Sequence, residues 1–207
     1  LALAEGTRAR GDTRGVLYGT GPGADLVLHD DGPGRVAGSG PAGRHGLSLQ
    51  VPGRHNALNA AAAFAVALEL GVEPAAAAAA LAGFSGASRR FELKGSARGV
   101  RVFDDYAHHP TEVRAALAAA RSVAGSHKVH VLFQPHLFSR TREFARDFAE
   151  ALHLADTALV LDIYPAREDP IPGVTSQLIA DHLGGGGRLV SAGEAVAALV
   201  GSASDGD

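Results

Sequence analysis

From residue 98 onward, a short apolar stretch rich in β-branched residues is followed by one of helical period, and the order repeats to residue 201. RGVRVFDDYA precedes HPTEVRAALAAARSVA, and HKVHVLFQPH precedes SRTREFARDFAEALHLA. TALVLDIYP precedes TSQLIADHL, and after the GGGG turn RLVSA precedes GEAVAALVG. In the second helical stretch Phe144, Phe148 and Leu152 recur at i, i+4 and i+8 and so share one face. Parallel neighbours in a sheet can be joined only by a crossover, so this alternation predicts a parallel sheet covered by helices on both faces. The predicted fold class is α/β, with a Rossmann-like parallel-sheet domain at about 98–200. Ligands of such sheets bind beyond the carboxyl ends of the strands, which directs attention to the loops there.

The first half reads differently. GVLYGT, ADLVLHD, RVAGSG and HGLSLQVPG are short stretches parted by Gly and Pro, as in the strands and turns of an antiparallel segment. At residue 54 the period changes. NALNAAAAFAVALELG predicts a helix with Asn56 as N-cap and Gly71 as the C′ residue, and with Leu58, Ala61, Ala62, Ala65 and Leu68 near one face. EPAAAAAALAGF predicts a second helix with Pro74 in its first turn. The stretch SGASRRFELKG leads out of this region, and a boundary is placed so that the domains span 1–93 and 94–207. The terminal SASDGD is expected to fray.

Composition removes several functions. A net charge of −3 gives no general attraction to nucleic acid or anionic membrane, and 5% aromatic residues make a poor platform for stacking bases. Without cysteine there is no disulfide and no thiolate metal site, which fits a reducing cytoplasm. The apolar run AAAAAALA at 75–82 is far too short to span a bilayer. The chain contains no Met and is expected to be a piece of a longer protein.

Four constellations carry chemistry. In GRHNALN, His55 and Asn56 open a helix; the pair could simply cap it, or Asn56 could offer an acceptor and a donor to an adenine edge. In SRRFE, adjacent arginines could form a solvated edge, or Arg90 could meet phosphate or carboxylate oxygens. In DDYAHHPTE, a carboxylate at a strand end can accept hydrogen bonds from ribose hydroxyls. His109, Pro110 and Glu112 there have the spacing of a helix cap, whereas His108 has no such structural role. In FQPHLFSRTRE, Ser139 is a plausible N-cap and Arg140 then falls in the first turn. A cation there opposes the helix dipole, yet with free backbone N–H groups it makes a pocket for a small carboxylate. Five histidines lie between 108 and 136, but as a neighbouring pair and scattered residues, so no metal site is expected.

GRHNALNAAAA, RRFE, DDYAHHPTEV and FQPHLFSRTR stand here in the order and spacing seen in the Mur ligases, and DIYPAREDPIPGVTS at 162–176 also resembles a stretch of that family. The likeness is strong over roughly 50–185 and weak before residue 50. It implies that residues 1–93 are the carboxyl-terminal part of a central ATPase domain and that 94–207 form the Rossmann-like domain delivering the amino acid. The members most similar to it join L-alanine to UDP-N-acetylmuramate in cytoplasmic peptidoglycan precursor synthesis, using ATP and Mg2+ through an acyl phosphate. His55 and Asn56 would contact adenine, Arg90 the nucleotide and Asp105 its ribose. Tyr106, His108, His136 and Arg140 would surround the alanine, with Arg140 on its carboxylate. No separate catalytic residue is assigned.

Two departures accompany the resemblance. The family's phosphate-binding loop is missing: the lysines Lys94 and Lys128 sit in FELKGS and SHKVH, and GTGPGADL at 19–26 reads as turns. The loop and the magnesium ligands are therefore expected upstream, and the chain alone is expected to be inactive. Leu137 stands where many members have a second arginine, which leaves more to Arg140. The rival expectations are a recycling ligase that attaches an intact peptide to the same sugar nucleotide, and a non-catalytic nucleotide- or amino-acid-binding module.

Overall fold

Helix starts and ends in this protein are set largely by glycine and proline, and the amino-terminal unit shows how. A computed structural model describes residues 15–30, 35–40 and 43–207, and the chain divides into the units Leu1–Gly86 and Ala87–Asp207. The boundary expected at 93/94 falls inside a strand of the second unit.

In the first unit β1 (Tyr18–Gly19), β2 (Leu26–Asp30), β3 (Arg35–Gly40) and β4 (Gly43–Ser48) form one sheet in that order. β2, β3 and β4 are antiparallel, and the short β1 runs parallel to β2. The stretch between β1 and β2 is a turn, in which Ala24 N–H donates to the Gly21 carbonyl at 3.2 Å. α1 (Arg54–Glu69) is entered through Gly53 at φ 102°, a conformation that favours glycine, so Gly53 and not Asn56 is the N-cap. At the other end Gly71 at φ 79° is the C′ residue as expected. Its N–H donates to Leu68 O, and that of Val72 to Ala67 O, closing a Schellman motif. α2 (Pro74–Ala82) starts with Pro74 at its first position, where the missing N–H costs nothing. Phe64, Ala61 and Ala65 of α1 pack with Leu26, Leu28, Leu47 and Ala77 into one core. Full burial of Phe64 there contributes about 1.5–3 kcal/mol.

The second unit opens with a hairpin that the sequence reading leaves as a connection. β5 (Glu92–Ala97) pairs antiparallel with β6 (Val100–Asp104). The two linking residues, Arg98 and Gly99, both have positive φ, as a type I′ turn requires. The parallel sheet is built from β7 (His130–Phe133), β8 (Thr157–Val160) and β9 (Gly187–Leu189). The strand expected from RGVRVFDDYA thus pairs with β5, and a cavity of about 560 Å³ lies between it and β7. The helices are α3 (Pro110–Ala124), α4 (Phe138–Leu152), α5 (Gln177–Leu183) and α6 (Ala192–Ser202).

Both faces of the parallel sheet are covered, and strand alternation decides which residues go where. Ala158 and Val160 of β8 pack with Val113, Leu117, Phe148, Leu152, Ile179 and Leu183 from α3, α4 and α5. Leu159, one residue out of phase, packs with Val190 and Ala195 against α6. The carboxyl terminus is tied down, contrary to the expected fraying. The Asp207 carboxylate accepts from Lys128 N–H at 2.9 Å and lies 3.3 Å from His130 Nε2, while its carbonyl accepts from Arg101 N–H. The Ser204 and Lys128 N–H groups hold that carboxyl down at about 2. Among the described residues, no helix is long and apolar enough to cross a membrane.

Candidate functional site

Two strand-to-helix turns of the second unit come together, 104–112 after β6 and 133–140 after β7. His109 caps α3: its Nδ1 accepts from Thr111 N–H at 3.3 Å, and the Glu112 carboxylate accepts from His109 N–H at 3.2 Å. This is the reciprocal cap that the spacing predicts. Glu112 also accepts from His108 N–H at 3.0 Å. Burial pushes the Glu112 carboxyl up, but the His108 and His109 N–H groups and the charges of His108 and Arg90 hold it below the ordinary range. His109 packs edge-on against Phe144 of α4 at 5.1 Å, joining the two turns.

His108 does have structural partners. Its Nδ1 lies 2.8 Å from the Tyr106 carbonyl and 3.3 Å from the Glu112 carboxylate. Two acceptors at Nδ1 place a proton there, so in the neutral ring Nε2 is the acceptor. The His108 ring stands 5.0 Å from Tyr106 and 5.9 Å from His136, and His136 lies 5.7 Å from Tyr164. Arg140 reaches His136, its Nη1 at 3.4 Å from Nδ1. Tyr106, His108, His136 and Arg140 therefore form one cluster, as the sequence suggests. Partial burial lowers the His136 pKa from the usual 6.5, and the Arg140 and His108 charges lower it further, so its ring is neutral at pH 7.

Asp105 is committed to the backbone. One carboxylate oxygen accepts from Phe91 N–H and the other from Ala107 N–H, each at 2.7 Å. Tyr106 N–H also donates to the Arg89 carbonyl at 2.8 Å. These bonds hold the arginine-bearing turn, where Arg89 and Phe91 both have positive φ, against the end of β6. Arg90 is exposed and adds its charge to the surroundings of Glu112. The sequence reading passes over its neighbour, yet Arg89 lies 4.7 Å over the Tyr106 ring and 3.6 Å from the Asp104 carboxylate. His55 and Asn56 belong to α1 of the other unit. There Asn56 uses one amide N–H on the Pro52 carbonyl at 2.6 Å, a bond that does not engage its oxygen or its second N–H.

The start of α4 departs most from expectation. Ser139 is not the N-cap: that position is Leu137, at φ 74° and ψ 137°. Leu137 is fixed between its N–H bond to the Tyr164 carbonyl at 3.0 Å and its own carbonyl, which accepts from Thr141 N–H and Oγ1. The capping carboxylate comes from Glu168, which accepts from Ser139 N–H at 2.9 Å and from the Ser139 hydroxyl. These Ser139 bonds, with the Phe138 N–H and the Arg140 charge, keep the Glu168 carboxyl below its ordinary range. The Phe138 and Ser139 N–H groups, expected to be free for a substrate carboxylate, are thus occupied by Glu168. Arg140 remains as the cation of this turn nearest His136.

Residues 89–207 match the family described as Mur ligase, glutamate ligase domain, more than half of the chain. The chain belongs to the Mur ligase family. Over 206 residues it is 77% identical to the UDP-N-acetylmuramate–L-alanine ligase of Arthrobacter sp. (strain FB24), covering 100% of this chain and 44% of that protein. The UDP-N-acetylmuramate–alanine ligase structure of Thermotoga maritima superposes with a TM-score of 0.74 at 30% identity, covering 92% of this chain and 42% of that one. The murein peptide ligase of Psychrobacter arcticus 273-4 shares the fold, with a TM-score of 0.63 at 23% identity over 92% of this chain and 41% of that one. This Mur ligase chain spans under half the length of the curated relatives it matches.

Proposed function

We propose that the chain is the carboxyl-terminal part of an ATP-dependent ligase that joins L-alanine to UDP-N-acetylmuramate, a cytoplasmic step of peptidoglycan precursor synthesis. The observation that carries the proposal is 77% identity, along the whole chain, to a relative of that name. The cluster of Tyr106, His108, His136 and Arg140 supports it as a place for a small zwitterion. Residues 1–86 would be the end of the central ATP-binding domain, and 87–207 the domain presenting the amino acid.

On this reading ATP phosphorylates the lactyl carboxylate of the sugar nucleotide, giving an acyl phosphate and ADP. The alanine nitrogen attacks the carbonyl carbon, a C–N bond forms, and the C–O bond to phosphate breaks. Arg140 holds the alanine carboxylate through charge-assisted hydrogen bonds. The alanine ammonium gives up its proton to water before the attack, and His136, accepting from Arg140 at Nδ1, keeps its own proton on Nε2 and lines the site as a donor. Tyr106 and His108 wall the site. Asn56, with His55 beside it, reads adenine, and Arg90 meets the nucleotide. Asp105 uses the lone pairs left by its backbone bonds to accept from ribose hydroxyls. Among the described residues, no group of three or more His, Cys, Asp or Glu side chains could hold a metal ion. The Mg2+ of this chemistry would be held by other parts of the ligase.

Phosphate release by the complete ligase carrying this chain tests the assignment. Release that requires ATP, UDP-N-acetylmuramate and L-alanine is the expected result. Release with an intact murein peptide but not with L-alanine would favour the recycling ligase, and nucleotide binding without turnover would favour a binding module.

A further inference from the structure

Arg140 occupies the third position of α4, where the helix dipole already presents positive charge. Such a cation is locally unfavourable, and what offsets it is a carboxylate 29 positions beyond Ser139. Glu168 accepts from both the N–H and the hydroxyl of Ser139, the residue next to Arg140. The same loop supplies Tyr164, whose carbonyl receives Leu137 N–H and whose own N–H donates to Pro135 O at 2.8 Å. The loop 164–168 therefore grips the turn 135–139 at three backbone positions and one side chain. Leu137 sits inside that grip in a backbone region that is unfavourable for a residue with a side chain, and such strain persists only where the surroundings over-determine it.

We propose that Glu168 is a positioning residue for the amino-acid substrate. It fills the anion-attracting end of α4, so that a substrate carboxylate is directed to Arg140, and it fixes the turn from which Arg140 reaches across to His136. This role rests on the ligase reading above. Removing Glu168 has two consequences that act together. The turn loses the bonds that set the direction of Arg140, and the freed helix end becomes a rival place for the carboxylate.

The test is steady-state kinetics of the complete ligase, with Glu168→Ala, the milder Glu168→Gln, and each in an Arg140→Ala background. Glu168→Ala is expected to raise the L-alanine KM at least about tenfold, with the KM values for ATP and the sugar nucleotide unchanged. Glu168→Gln keeps an acceptor oxygen and loses the charge, and should rise by about threefold. Because Glu168 acts through Arg140, adding Glu168→Ala to Arg140→Ala should raise the KM by no more than about twofold further. An active wild type whose L-alanine KM is indifferent to both Glu168 variants overturns the inference and leaves the ligase assignment standing. So does a double variant in which the two effects multiply in full. A wild type that does not use L-alanine overturns both.

Discussion

α3 and α4 both follow a strand of the second unit, and both present candidate site residues from their first turn. α3 is capped from within its own neighbourhood, by His109 and Glu112, with Pro110 preset at the first helical position. α4 is capped by Glu168, and it is entered through Leu137 in a left-handed conformation. The difference is one of range. A cap built from i and i+3 forms as the helix forms, whereas a cap from a distant loop exists only once β8 and that loop are in place. The α3 turn is thus a local device that carries His108, and the α4 turn is a tertiary device that carries Arg140. Geometry that depends on tertiary closure is the more sensitive of the two.

The largest expected effect is at Arg140. If the α4 turn receives the substrate carboxylate, Arg140→Ala should lower kcat/KM for L-alanine by roughly 100-fold in the complete ligase, the usual scale for removing one partner of a charge pair. Unchanged constants would strip this turn of its function and end the contrast. Next comes Asp105, which ties the arginine turn to the α3 side through two backbone N–H groups. Asp105→Ala should destabilise the second unit by about 2 kcal/mol in urea unfolding, since it leaves both donors without their partner. A loss indistinguishable from zero would mean that water satisfies them.

The pH profile sharpens the comparison further. His136 has a lowered pKa, so beneath 6.5 the unfolded chain binds more protons than the folded one. The stability held by the neutral ring is therefore complete above 6.5 and is lost as pH falls below it. If the neutral His136 ring holds Arg140 in place as its acceptor, kcat/KM for L-alanine should fall as pH drops below a midpoint lying under 6.5. A flat profile down to pH 5 would remove His136 as the partner that holds Arg140.

Smaller effects separate the two caps directly. Glu112→Ala removes half of a local cap and should cost about 1 kcal/mol of unfolding free energy with little change in the L-alanine KM. A tenfold rise in that KM would show that the α3 cap is as bound up with the substrate as the α4 cap. Leu137→Gly relieves a conformation that glycine adopts freely, and should alter stability by no more than about 1 kcal/mol, in the stabilising direction, while weakening use of L-alanine. Stabilisation with unaltered kinetics would mean that the strained start of α4 serves the fold alone.

Much of this was legible because it depends on neighbours along the chain. The α3 cap, Gly71 behind α1 and Pro74 at the head of α2 are each recognised within a few residues, because φ preferences and i to i+3 hydrogen bonds are local. The Arg98–Gly99 hairpin could have been found by the same means, had a two-residue loop ending in glycine been given its due. Nothing around Leu137 announces a positive φ, and nothing around Glu168 announces that it caps α4. Nor does SASDGD reveal that Asp207 will settle against Lys128 and His130.

The sequence by itself determined the alternation of strand and helix, the parallel sheet that follows from it, and the residue types at the two turns. Only the tertiary structure decided that Asp105 is bound to the backbone, that Arg89 lies over Tyr106, and that a distant carboxylate holds the turn bearing Arg140. The reason is physical. Helix and strand preferences are properties of a few consecutive residues, whereas a hydrogen bond between residues far apart forms only where packing of the whole unit brings donor and acceptor within 3 Å.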